Sequence, residues 1–410
     1  MSHSKSKRVV VTGTGVVSAN GQDREKFFDN LKRGRVAISD VEGFDTERLR
    51  VKRGGEIKDF DILRHFPGDH ELLRLGRAKQ LALAAAKQCI EESGYDVAAS
   101  SFRVGVVVGT TMGESKSLEH CTDELSQGAS GVPAVETLAD FLPHTISQAV
   151  GRQFGAYGPN AMIPNACAAG NFAIGHAIGL IRMGQADAVI AGGSDAFSRY
   201  AYAGFARLGA ISPDVPRPFS ADRQGMIPGE GAAMLFLESL DSALERKAPI
   251  YAEVVGYGES CDAYHVTQPD DEGIARAIDA ALKMACTQPE AVSYISVHGT
   301  GTPANDTIET RALRKVFGEQ IPPVSSVKSM LGHSMGAASA IECVAALMMI
   351  REQYITPTMN YRSVDESCVL DCVPNEGRPA DVDYVVKTAS AFGGNNAAVV
   401  FRRFRESAMQ

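Results

Sequence analysis

Four stretches of this chain recur, in the same order, in its second half. Residues 8–17 read as a strand closing on Gly13-x-Gly15, and residues 251–258 read the same way. Residues 104–110 (Val-Gly-Val-Val-Val-Gly-Thr) are echoed by residues 294–300 (Tyr-Ile-Ser-Val-His-Gly-Thr). The turn around Cys167 and the helix after it are echoed by residues 326–333 and the run 337–350, and residues 188–193 by residues 385–394. An ordered echo of this kind predicts two similar halves, with extra length inserted in the first. A chain of 410 residues is also long for one core and natural for two. The halves are placed at residues 1–250 and 251–410, with the boundary in 240–249. Short β-branched strands alternate with helical runs at 78–93, 270–286 and 338–350, which predicts an α/β fold with mostly parallel sheets. The last helix opens Gly336-Ala-Ala-Ser-Ala340 and is small on every side, as suits a helix buried between two sheets.

The chemistry gathers in turns. Cys167 lies in Pro164-Asn165-Ala166-Cys167-Ala168-Ala169-Gly170, directly before an apolar helical run. A thiol at a helix start meets free N–H groups and the positive end of the dipole, which favour the thiolate. Two histidines occupy glycine-rich turns: His298 in His-Gly-Thr-Gly-Thr-Pro and His333 in Lys328-Ser-Met-Leu-Gly-His333. His298 is flanked by the hydroxyls of Thr300 and Thr302 and followed by the acid Asp306. The other histidines lack such a context. A polarised cysteine with two loop histidines is a candidate acyl-transfer site. Lys328, entering a small-residue helix, needs a buried partner, and Glu342 on that helix is the candidate.

Other readings are weaker. Gly13-x-Gly15 lacks the third glycine of a dinucleotide fingerprint and is read as tight-turn packing. Gly332-His-Ser-Met-Gly336 matches a nucleophile elbow, but a hydrolase of that type needs a histidine after the serine, and His333 is the last one in the chain. The net charge of −8 argues against nucleic-acid binding. Cys89, Cys121, Cys261, Cys286 and Cys343 read as small buried hydrophobes, and Cys368 and Cys372 as free thiols with no metal site. Residues 1–8 are basic, but Gly13 and Gly15 interrupt the apolar stretch that follows, so neither a signal peptide nor a membrane span is expected. The expected location is cytoplasmic.

Taken together, the motifs resemble those of β-ketoacyl-acyl carrier protein synthases, closest to the KAS II-like group. They are the Cys167 turn, Ala191-Gly-Gly193, Pro228-Gly-Glu-Gly231, Ser260-Cys-Asp-Ala-Tyr-His265, the His298 and His333 turns, and Phe392-Gly-Gly-Asn-Asn396, spanning residues 8–401. The resemblance implies the thiolase fold: two βαβαβαββ halves in a five-layered αβαβα core, usually dimeric. It implies an acyltransferase in which Cys167 carries the acyl chain as a thioester. His298 and His333, uncharged, would donate hydrogen bonds to the malonyl thioester oxygen during decarboxylation. Lys328 and Glu342 would hold His333, with Asp306 and Glu309 in support. Thr300 and Thr302 would contact the pantetheine arm. The N–H groups of Cys167 and Phe392 would form an oxyanion hole, Phe392 also acting as a gate, and Met112 and Phe205 would line the acyl pocket. No metal or bound cofactor is implied, since the phosphopantetheine arrives on acyl carrier protein.

A histidine at 333, where initiating and chalcone-type enzymes of the superfamily place asparagine, favours carrier-protein-dependent elongation. Cys167 with both histidines argues against a non-catalytic scaffold subunit. A homodimer is expected, and an active subunit of a heterodimer with a chain-length-factor-like partner stays open. Arg74, Arg77, Lys79 and Arg207 are candidates for a basic rim facing the acidic carrier. Three positions depart from the family pattern. Ala391 stiffens a gate that more often has glycine, Ser390 leaves space where a ring is usual, and Glu114 puts a carboxylate near the expected acyl pocket. Both fatty-acid synthesis and a secondary-metabolite role remain open.

Overall fold

The computed structural model describes residues 7–128 and 139–405. Ten strands form one ribbon. In chain order they are β1 (Val9–Ser18), β2 (Val104–Thr110), β3 (Asn160–Pro164), β4 (Ala188–Asp195), β5 (Gly231–Ser239), β6 (Ala252–Cys261), β7 (Val292–Ser296), β8 (Val324–Ser325), β9 (Tyr384–Ser390) and β10 (Asn395–Arg403). Across the ribbon the order is β3-β2-β4-β5-β1-β6-β10-β9-β7-β8. Read outward from the centre, each half presents its first, fifth, fourth, second and third strand. The echoes seen in the sequence fall on equivalent elements: β1 with β6, β2 with β7, β4 with β9. Within the ribbon the halves meet where Val9, Val10 and Val11 of β1 pair with Val254, Glu253 and Ala252 of β6.

The main helices are α1 (Arg77–Ser93), α2 (Ala169–Arg182), α3 (Asp271–Met284), α4 (Pro303–Phe317) and α5 (Met335–Glu352). α1 covers the outer face of the first half, and α3 with α4 that of the second; α2 and α5 pack against each other between them. This is the five-layered thiolase arrangement. α5 is buried at every position from Met335 to Ile350, which its small, apolar, all-round composition permits.

Three expectations change. The sheets are mixed: within each half the three neighbouring strands β3-β2-β4 (or β8-β7-β9) are parallel, and the last two pairings are antiparallel. The cause is the returning strand that closes each unit, as in the hairpin from β9 to β10. Gly13 and Gly15 make no turn. They lie inside β1, where an added Cβ would stand 2.0 Å from the Cys89 carbonyl oxygen and 1.9 Å from that of Ala85, both on α1. They let strand and helix backbones touch. All eight cysteines are free, but Cys261 and Cys286 are exposed, at the end of β6 and just beyond α3, rather than core residues.

Candidate active site

Cys167 stands on the turn joining β3 to α2, with Ala168 as the helix cap, and is only 7 % exposed. That burial reverses the expected titration. Loss of solvent pushes the thiol up to about 12, although the Lys328 ammonium pulls the other way. The helix start therefore holds a thiol at rest, because desolvation outweighs a dipole that acts within one turn.

His298 follows β7 in a loop held by two carboxylates of α4. The His298 and Gly299 N–H groups donate to the Glu309 oxygens at 2.7 and 2.8 Å, and the Thr388 hydroxyl donates to Glu309 at 2.9 Å. Asp306 accepts the N–H of Gly301 at 3.2 Å and of Phe219 at 2.8 Å. The loop needs positive φ at Gly299 (+40°) and Gly301 (+80°), and glycine supplies it without strain. Thr302 caps α4 and shares a 2.9 Å hydroxyl contact with Thr300.

His333 lies between the one-turn helix Lys328–Leu331 and α5. Its N–H donates to the Ile227 carbonyl at 2.7 Å, and its own carbonyl accepts from Gly229 at 2.9 Å. The two imidazoles meet edge to face, with centroids 5.5 Å apart. Burial, then the Lys328 charge, push both well below 6.5, so both rings are uncharged at neutral pH.

Beneath the rings is a buried ionic cluster. Lys328, 1 % exposed, ion-pairs with Glu342 of α5 and donates to the His298 carbonyl at 2.7 Å. The lysine thus reaches His298, whereas His333 is held by the backbone of residues 227–229. On the other carboxylate oxygen lies Lys387 of β9, its Nζ 2.8 Å away. Sequence reasoning missed Lys387. Replacing Glu342 with alanine leaves two ammonium groups facing each other in the core, and is expected to cost at least about 3–5 kcal/mol. A urea-unfolding midpoint unchanged from wild type would contradict this.

One open cavity of about 600 Å³ is lined by Cys167, His298, His333, Thr300, Thr302 and Phe392, with Phe205 at its wall. Phe392 is 38 % exposed on the turn between β9 and β10, and its ring lies 5.8 Å from that of Phe205. Other expected positions fall elsewhere. Met112 is not on this wall; its N–H donates to Asp195 at 2.8 Å. Glu114 is fully buried and accepts the N–H groups of Ala78 and Lys79, capping α1, with its carboxyl pushed up to about 7 by burial. Its closeness in sequence to the pocket was misleading. Arg77 pairs with buried Glu230 at 2.9 Å, and Lys79 is buried against Asp140. Arg74 pairs with Glu71 on the surface, while Arg207 is exposed on the helix that carries Phe205 and has no ion pair among the described residues.

Asp195, also missed, ends β4 and gathers the Thr110 hydroxyl and the Thr111 and Met112 N–H groups within 2.9 Å; burial pushes it up to about 6. Its signal was the Gly-Gly-Ser-Asp sequence at a strand end. Among the described residues, no cluster of His, Cys, Asp or Glu could hold a metal ion, and no helix is long and apolar enough to cross a membrane.

The chain matches the family models for the β-ketoacyl synthase N-terminal domain over residues 6–243 and the C-terminal domain over residues 251–362. It is 40 % identical to the 3-oxoacyl-[acyl-carrier-protein] synthase 2 of Synechocystis sp. over 99 % of this chain and 100 % of that one. Among solved structures, the ishigamide ketosynthase/chain length factor superposes with a TM-score of 0.92 at 42 % identity, covering 97 % of this chain and 100 % of that one. A type II polyketide acyl-carrier protein in complex with its ketosynthase superposes with a TM-score of 0.89 at 33 % identity, covering 98 % and 100 %.

Proposed function

The chain belongs to the β-ketoacyl synthase family, and from that premise we propose that it is a 3-oxoacyl-acyl carrier protein synthase elongating a fatty-acid or polyketide chain. The observation that carries this reading is a cavity lined by the Cys167 thiol and by the His298 and His333 imidazoles, whose ring centroids lie 5.5 Å apart. Cys167 attacks the thioester of an acyl-carrier protein. Its Sγ–C bond forms as the carrier's C–S bond breaks, and the thiol proton ends on the departing pantetheine sulfur. The carrier supplies the phosphopantetheine arm, which Thr300 and Thr302 on the cavity wall would contact.

Malonyl-carrier protein then loses carbon dioxide. The electrons of the breaking C–C bond pass toward the thioester oxygen, which accepts hydrogen bonds from His298 and His333. Uncharged donors suit this role because they bind the developing enolate without protonating it outright. The carbanion attacks the acyl-Cys167 carbonyl, whose oxygen is held by the N–H groups of Cys167 and Phe392. Neither N–H has a hydrogen-bond partner among the described residues. The C–S bond breaks, Cys167 leaves as a thiolate, and it takes up a proton from water, the one proton that the whole cycle consumes. Phe392, its ring tilted against that of Phe205, gates the sulfur. Glu309 and Asp306 hold the His298 loop in shape. The division near residue 250 gives the thiol to one half and both imidazoles to the other.

Incubation with acyl- and malonyl-carrier proteins, followed by weighing of the carrier-bound product, tests the reading. A chain extended by two carbons supports it, and a protein that neither loads nor decarboxylates sinks it. The buried imidazoles also set a pH dependence. Their charged form is disfavoured, so the decarboxylation rate should stay level as pH falls through 6.5 and decline only below it. A limb centred at 6.5 would mean that the rings are solvated.

A second reading is favoured by the 42 % identical ketosynthase/chain length factor structure. In it, this chain is the active subunit of a heterodimer rather than half of a homodimer. Light scattering on the purified chain separates them: a stable dimer of twice the 43.6 kDa chain mass supports the homodimer, and a monomer the paired form.

A further inference from the structure

The ionic cluster under the imidazoles holds one more cation than the Lys328–Glu342 pair needs. Lys387 is fully buried on β9, a strand that otherwise turns apolar or small side chains inward. Its Nζ lies 2.8 Å from Glu342 Oε2, close enough for an ion pair but out of line for a hydrogen bond. It donates to the carbonyls of Thr388 and, at 3.4 Å, Ser296. Ser296 is its partner in the parallel pairing of β9 with β7 and lies two residues before His298. Thr388 lies two residues before Ser390, where the gate turn begins. One ammonium therefore joins the strand leading to His298, the strand leading to the gate and the carboxylate that holds Lys328.

We propose that Lys387 is a positioning residue for decarboxylation, acting on His298 through Glu342 and Lys328 and on both imidazoles through its charge. This rests on the function proposed above. Stability alone does not account for the lysine. Glu342 already has a cation on its other oxygen, and an apolar side chain in place of a superfluous buried charge is often neutral or stabilising. A fixed positive charge favours the enolate that replaces the malonyl carboxylate, and it disfavours the imidazolium forms of the donors. Its charge is among the causes that lower both rings, after burial and Lys328 for His333 and after burial, Lys328 and His333 for His298.

Other titratable and charged groups lie on the elements around the rings. Lys328 lies on the one-turn helix, Glu342 on α5, Glu309 and Asp306 on α4, and Asp195 at the end of β4. Cys167 stands at the start of α2, Glu230 follows the backbone that holds His333, and Arg223 stands 3.9 Å from Asp306. Of these, Lys387 can be removed while leaving every other carboxylate with its present partners, since Lys328 still neutralises Glu342.

The test is Lys387→Met, with Lys387→Gln as a variant that keeps a donor toward the carbonyls but removes the charge. Loading of Cys167 by an acyl-carrier protein should stay within about twofold of wild type. The acid limb of malonyl-carrier protein decarboxylation should move up by roughly one pH unit in both variants, with folding at each pH checked by circular dichroism. If either folded variant gives the wild-type limb, the proposal is overturned; if both variants are unfolded, Lys387 is a core strut and the proposal is equally overturned. If the wild type itself does not decarboxylate malonyl-carrier protein, what fails is the proposed function.

Discussion

Cys167→Ala should abolish acyl loading while malonyl-carrier protein still loses carbon dioxide. Loading needs a covalent bond to sulfur, and no other thiol reaches this cavity: Cys261 is exposed at the end of β6, and Cys343 is buried within α5. Decarboxylation needs only a bound malonyl thioester and the two imidazole donors, neither of which the substitution touches. Alanine also fits the turn, which is already Ala-Cys-Ala-Ala. Intact-protein mass spectrometry after incubation with acyl-carrier protein should show the acyl mass on wild type only. An adduct of equal yield on the alanine variant would move the nucleophile elsewhere.

His333→Ala should give the complementary result. The thiol remains and loading proceeds, but one of two donors to the enolate oxygen is gone. Loss of one such donor costs on the order of 10²–10³-fold in rate. The backbone of residue 333 is fixed by Ile227 and Gly229 whatever its side chain, so the loop should survive the change. Release of labelled carbon dioxide from malonyl-carrier protein is the measurement. Release at the wild-type rate would reduce His333 to a packing residue. The two variants thus separate the half-reactions: one stops before the acyl-enzyme, the other after it.

The halves were legible because their strands carry strong β-branched runs that end in the same small-residue turns. The ordered echo of residues 104–110 in 294–300 corresponds directly to β2 and β7. The proximity of Cys167, His298 and His333 was legible only through the joint order of motifs, since no single spacing dictates it. What escaped was tertiary. Lys387 sits in Val-Val-Lys-Thr-Ala, where alternation makes a lysine look solvent-facing, and nothing local says that a helix from elsewhere brings Glu342 to it. Glu114 looked like a pocket residue because it follows Met112, yet the chain turns it onto the start of α1. The thiolate expected at a helix start was a local inference, and the neighbouring layers that exclude water overrule it. Gly13 and Gly15 signalled a turn by composition, while their cause is a helix packed against the strand.

The burial that pushes the Cys167 thiol up to about 12 also makes its sulfur a poorer target for peroxide and for soft alkylating agents, which react with the ionised form. The unoccupied protein should therefore tolerate oxidants that inactivate enzymes storing a ready-made thiolate. Reactivity is deferred until a correctly shaped thioester fills the chamber and takes up the proton itself, so the same enclosure that slows the nucleophile also protects it between turnovers.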